Sequence, residues 1–234
     1  MALYVRHFAR APLTLTILMM WLALEAVRVP FFGDTPVYYQ VLGLSRHGMA
    51  TLFLWEPFTY ALIHSGWFHT LMNALILLSV GSRLEWILGS RQTGLLILGG
   101  TLLGGGFHLM LSGNTLVGGS GAVFALLIAM TSLAPESRWL VPFPVSAKNL
   151  GRGLFSASLM LTLMNPALSI PGISNVGVFL EQIGMGGIFR ISHTCHLGGA
   201  LAGWLGVRWL LRDGVSLAQL QSQRKRRENQ SWLL

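Results

Sequence analysis

Ser120 lies in the run Gly118-Gly119-Ser120-Gly121-Ala122-Val123-Phe124-Ala125 at the head of an apolar stretch, and His196 opens another such stretch near the C-terminus. Polar and ionisable groups at membrane depth are expensive and mark function by default. A serine hydroxyl becomes a nucleophile when a neighbouring base takes its proton, and imidazole, titrating near neutrality, suits that task. Acyl transfer also needs donors for the developing oxyanion. His69 and Asn73, four residues apart and so on one helix face, can supply N–H groups, and the Ser120 amide near a helix start can supply another. The chain's only aspartates are Asp34, in a loop, and Asp213, after the last apolar segment. A Ser-His dyad is therefore a more economical reading than a triad.

The elements that must hold these residues are membrane spans. Hydrophobic residues make up 53% of the 234 positions and charged ones 10%, against roughly 25% charged in soluble domains. The apolar segments predict an all-α integral membrane protein with six spans, at about Leu13 to Val27, Trp67 to Val80, Thr93 to Leu111, Gly118 to Ala134, Leu154 to Leu168 and His196 to Leu211. Residues 1–212 form the six-span domain and residues 213–234 a basic tail. The N-terminal apolar run reads as an uncleaved first span.

With both termini in the cytoplasm, Arg6, Arg10, Arg83, Arg91, Arg138, Lys148, Arg152, Arg208, Arg212, Arg224, Lys225, Arg226 and Arg227 lie inside, and Arg28, Arg46 and Arg190 outside. That asymmetry is the positive-inside pattern. The net charge of +8 then reflects topology and attraction to anionic headgroups, not nucleic-acid binding. On this topology Ser120, His196, His69 and Asn73 share a depth below the outer surface.

The longest connection, Pro30 to about Gly66, is rich in aromatics and is expected in the outer interface. Gly81 to Gln92, Ser112 to Val117 and the proline-bearing Pro135 to Gly151 read as shorter connections, and the glycine-rich Ser169 to Ile191 as a mobile, gate-like one. Glu85 is expected to cap the loop after the second span or tie it to Arg83 or Arg91. Gly199 and Gly203 on the sixth span, and Gly121 and Ala125 on the fourth, form small-residue faces that let two backbones approach. That approach would bring His196 to Ser120 and place Phe124 against the imidazole. The single cysteine, Cys195, excludes an internal disulfide, and no histidine–carboxylate pattern suggests a metal or other cofactor.

Gly118-Gly119-Ser120-Gly121 at the head of a span, His69 through Asn73 two spans earlier and His196-Leu197-Gly198-Gly199-Ala200-Leu201-Ala202-Gly203 two spans later resemble the rhomboid intramembrane serine proteases. The similarity includes Trp55 to His64 and Gly81 to Glu85, and so covers about Trp55 to Gly206. The resemblance implies a Ser120–His196 dyad that cuts transmembrane segments of protein substrates near their outer end, with His69 and Asn73 assisting the oxyanion. It implies a membrane-embedded hairpin after Pro30 and a lateral opening beside the fifth span. The chain departs from the family where Trp55-Glu56 replaces a Trp-Arg pair, where Phe124 stands for a frequent tyrosine, and where His193-Thr194-Cys195 precedes His196. His64 is expected to be structural; His47 and His108 have no assigned role.

Two other functions compete. An inactive relative that binds or escorts membrane segments would not need the serine, histidine and glycine set. A transporter or channel would carry polar residues through to both faces, whereas here they gather toward one end of the spans. A compact six-span form suggests a bacterial inner membrane.

Overall fold

The computed structural model describes residues 11–33, 35–141, 143–212, 219, 221 and 222. Arg6, Arg10, Asp34, Pro142, Asp213 and the basic run Arg224 to Arg227 lie outside the described residues.

Helices occupy all six expected positions: α1 (Pro12–Phe31), α5 (Trp67–Leu88), α6 (Ser90–Leu111), α7 (Ser120–Leu133), α8 (Ala147–Met164) and α10 (His193–Leu210). Among the described residues α1, α5 and α6 are long and apolar enough to cross a bilayer unaided. α7 is apolar but has only 14 residues, roughly 21 Å at 1.5 Å per residue. α8 and α10 are diluted by Lys148, Asn149 and Arg152 and by His193, Thr194, His196 and Arg208. The protein is an all-α membrane bundle in which these three helices depend on their neighbours.

Several connections differ from expectation. α5 runs on through a π-turn at Leu77–Gly81 to Leu88, so Gly81 to Gln92 is mostly helix; the break falls at Gly89, whose φ of 85° few other residues adopt. α8 starts at Ala147 and stops at Met164, before Pro166, so the fifth span sits earlier than Leu154 to Leu168. The crossing from Pro135 to Gly151 carries a small antiparallel hairpin, β1 (Arg138–Val141) paired with β2 (Phe143–Ser146). The stretch Ser169 to Ile191, expected to be mobile, is structured: α9 (Ile173–Gln182) and a 3-10 turn Gly186–Arg190 fill much of it, with Gly172 and Gly184 at positive φ.

The long connection between α1 and α5 folds into three short helices, α2 (Pro36–Leu42), α3 (Arg46–Ala50) and α4 (Glu56–Thr59). Phe31, Phe32, Val37, Leu52, Leu54 and Phe58 are exposed along it, an apolar surface suited to lipid contact. Glu56, buried, accepts from the Ser45 amide at 2.9 Å through Oε2, and Gly48 leaves room for its carboxylate. The Trp55-Glu56 departure thus has its own polar contact at the start of α3. Arg46 donates to the Leu109 and Met110 carbonyls at 2.7 and 3.0 Å, closing the C-terminal end of α6.

Glu85 does more than tie its own loop. Its carboxylate accepts from the Leu13 and Thr14 amides at 2.9 and 2.8 Å, from Thr14 Oγ1 at 2.8 Å and from Ser90 Oγ at 2.7 Å. It caps α1, where orphan amides and the helix dipole both favour an anion.

α7 is the centre of the bundle. Its Val123, Leu126, Ala129 and Leu133 pack with Trp21, Leu77, Leu84 and Leu96 from α1, α5 and α6.

Candidate active site

The turn into α7 is held from three sides. Leu44 and Leu116 exchange backbone hydrogen bonds at 2.9 and 2.8 Å, and the Gly118 amide donates to the Tyr60 carbonyl at 2.8 Å. The loop between α1 and α5 therefore positions the segment leading to Ser120. Gly118 has φ +111°, and a Cβ there would lie 2.5 Å from His69 Cε1. A Cβ on Gly119 would run into the Trp21 ring. The two glycines allow a tight turn pressed against two aromatic rings.

His64 sits beside this turn, edge-on to Trp21 and His69 at 4.9 and 5.0 Å. Burial, with His69 adjacent, lowers its imidazole to about 3. The ring is thus neutral, and Nε2 accepts the Gly119 amide at 3.3 Å. Ser120 is the first residue of α7 and 9% exposed. The first-turn amides of a helix have no intrahelical acceptor and point toward its positive end.

His196 lies on the first turn of α10, and its ring stacks on Phe124 with centroids 4.0 Å apart and planes 8° from parallel. Small residues make that contact feasible. A Cβ on Gly199 would overlap the Gly121 carbonyl, and one on Gly203 would overlap the Ala125 carbonyl. Gly100 on α6 meets Gly121, Ala122 and Ala125 in the same way. Close backbone approach of this kind lets dispersion hold helices together where lipid removes the hydrophobic drive.

His69 and Asn73 lie on α5. Ser65 Oγ lies 3.1 Å from His69 Nδ1, and Asn73 Nδ2 donates to the His69 carbonyl at 3.2 Å. The arrangement brings His69, His64 and Gly118 to one turn and Phe124 to His196, with Asn73 one helical turn along from His69.

Residues without a role in the sequence reading acquire one. His108 on α6 contacts Ser192 Oγ at 2.7 Å through Nδ1 and the Asn114 carbonyl at 2.7 Å through Nε2. Ser192 in turn N-caps α10, accepting from the Cys195 amide at 3.3 Å. Ser192 before an apolar run is a recognisable N-cap signal, whereas nothing local pairs it with His108, 84 positions earlier. Buried Cys195 faces Tyr60, Ser120 and the Gly121 backbone, filling the crossing of α6, α7 and α10 beside Gly104. His193 binds the Ile188 carbonyl at 2.9 Å and stands edge-on to His196 at 5.8 Å. It ties the head of α10 to the 3-10 turn before it.

The family model of the rhomboid domain matches residues 52–213, somewhat beyond the stretch whose motifs carry the resemblance. RHOMBOID-like protein 1 of Arabidopsis thaliana is 42% identical over 83 residues, 34% of this chain and 21% of that protein. RHOMBOID-like protein 4 of the same plant is 43% identical over 82 residues, 33% of this chain and 20% of that protein. The chain spans about a fifth of the length of these relatives. The model covers most of the chain, from the loop that pins the Ser120 turn to the end of α10, and on that ground the chain belongs to the rhomboid family.

Proposed function

We propose that the protein is an intramembrane serine endopeptidase that cleaves transmembrane segments of other proteins. The observation that carries this reading is the stacked Phe124–His196 pair across the glycine-lined contact of α7 and α10, with Ser120 one turn from Phe124 at the head of α7. In the proposed reaction His196 takes the Ser120 Oγ proton as Oγ attacks the scissile carbonyl. It then returns the proton to the leaving amine, and water releases the acyl group by the reverse sequence. Phe124 limits rotation of the imidazole. The Ser120 amide, His69 and Asn73 are the donors proposed for the oxyanion, and substrate displaces the Asn73 amide from the His69 carbonyl.

The arginine distribution favours both termini in the cytoplasm and cleavage near the outer face. The expected bacterial inner membrane rests on the compact form alone, and the matched relatives are plant proteins.

The test is cleavage of a membrane-spanning reporter by purified protein in detergent, alongside labelling by a fluorophosphonate. Wild type should cut and label, whereas Ser120→Ala should do neither and His196→Ala should not cut. Absence of both cutting and labelling in folded wild type would replace this reading with that of an inactive binder of membrane segments.

A further inference from the structure

We infer that the cleft between α7, α8 and α10, at the end of α7 remote from Ser120, binds an anionic glycerophospholipid, with the phosphate at Lys148 and Arg152 and an acyl chain along the cleft. The cavity measures about 620 Å³, within the roughly 300–1,000 Å³ usual for small-molecule sites. Its floor is where α8 meets α7 closely, since a Cβ on Gly151 would press on Thr131. Phe155 and Trp204 form an apolar wall and are partly exposed, at 38% and 43%.

The mouth has a different chemistry. Lys148 and Arg152 are four residues apart in the first turns of α8 and so share a face. Among the described residues neither has a carboxylate within ion-pair distance. Glu136 is the one acidic residue on the lining, so the lip carries net positive charge. Arg208 lies over the Trp204 ring at 4.7 Å, adding a third cation at the far wall.

A soluble anion would satisfy the cations and leave the apolar wall uncovered, and a neutral lipid would do the reverse. A phospholipid with an anionic headgroup meets both, as basic pockets between spans do elsewhere. Such a lipid would brace α8 against α7 and α10. This inference is independent of proteolysis, because it is read by binding.

The experiment is native mass spectrometry of the delipidated protein in detergent, offered equal phosphatidylglycerol and phosphatidylcholine. Wild type should retain phosphatidylglycerol preferentially. The double variant Lys148→Gln/Arg152→Gln should lower that retention roughly 30-fold, from two charges near the membrane surface, with phosphatidylcholine unchanged. Leu201→Trp, which fills the cleft and keeps both cations, should lower retention of both lipids. If that variant fails to fold, Ser156→Leu on the same lining takes its place. Millimolar glycerol phosphate should leave the lipid bound. Equal retention of the two lipids by wild type, wild-type retention by the double variant or by the folded cleft-filling variant, or displacement by glycerol phosphate would each overturn the inference. Fluorophosphonate labelling of the same samples reports separately on Ser120.

Discussion

α7 and α8 are neighbouring helices with opposite surroundings. Twelve of the 14 residues of α7 are buried, whereas α8 buries three of 18, Ala147, Ser158 and Thr162. α7 is the more apolar of the two, but lipid tails are as apolar as leucine, so burial between helices follows residue size at the contacts. Gly100, Gly104, Gly199 and Gly203 and Cys195 crowd onto α7, while Phe155, Leu159 and Met160 project from α8. Ser120, the proposed nucleophile, stands at the head of the enclosed helix, where packing fixes its geometry. The lateral opening that the family resemblance implies would lie beside the sparsely buried α8.

The contrast can be broken most forcefully at the glycines. Gly199→Val forces the α7–α10 contact apart and should reduce reporter cleavage to the Ser120→Ala background; wild-type activity in that variant would undo the packing argument. Next comes the donor set: Asn73→Ala should lower kcat by ~10²-fold with a much smaller change in KM, and unchanged turnover removes Asn73 from the site. Glu85→Ala orphans four donors at the start of α1 and Ser90 and should cost about 3 kcal/mol in unfolding free energy, read in mild detergent. The smallest effect belongs to α8. Met160→Ala, 59% exposed, should change stability by less than about 1 kcal/mol and activity by less than about twofold. A large loss there would mean that α8 is as tightly bound into the site as α7.

Much of the candidate site was legible because chemistry leaves local marks. A serine between glycines at the head of an apolar run, two polar residues at helical spacing and small residues four apart can each be read from one window of sequence. Hydrogen-bonding partners far apart in the chain leave no such mark. Glu85 looks like a loop residue until its acceptors meet Leu13 and Thr14, and His108 has no reading until Ser192 lies beside it. The helix α9 was hidden by Gly177 and the glycines that flank it, and the β1–β2 hairpin by prolines that first suggest an irregular crossing. The π-turn in α5 has no composition of its own.

Sequence alone determined the class and the order of parts: a chain too apolar for water, six helix positions, and the motifs whose sequence is that of the rhomboid family. Backbone polarity in lipid leaves little choice but helices, so that conclusion needs no coordinates. Only the tertiary structure decided which groups meet. It put the loop at Leu44 and Tyr60 beside the Ser120 turn, sealed α1 with Glu85, and brought His108 to Ser192. Each of these contacts joins residues distant in the chain through a polar group whose partner is fixed only when separate elements pack together, which no single stretch of sequence specifies.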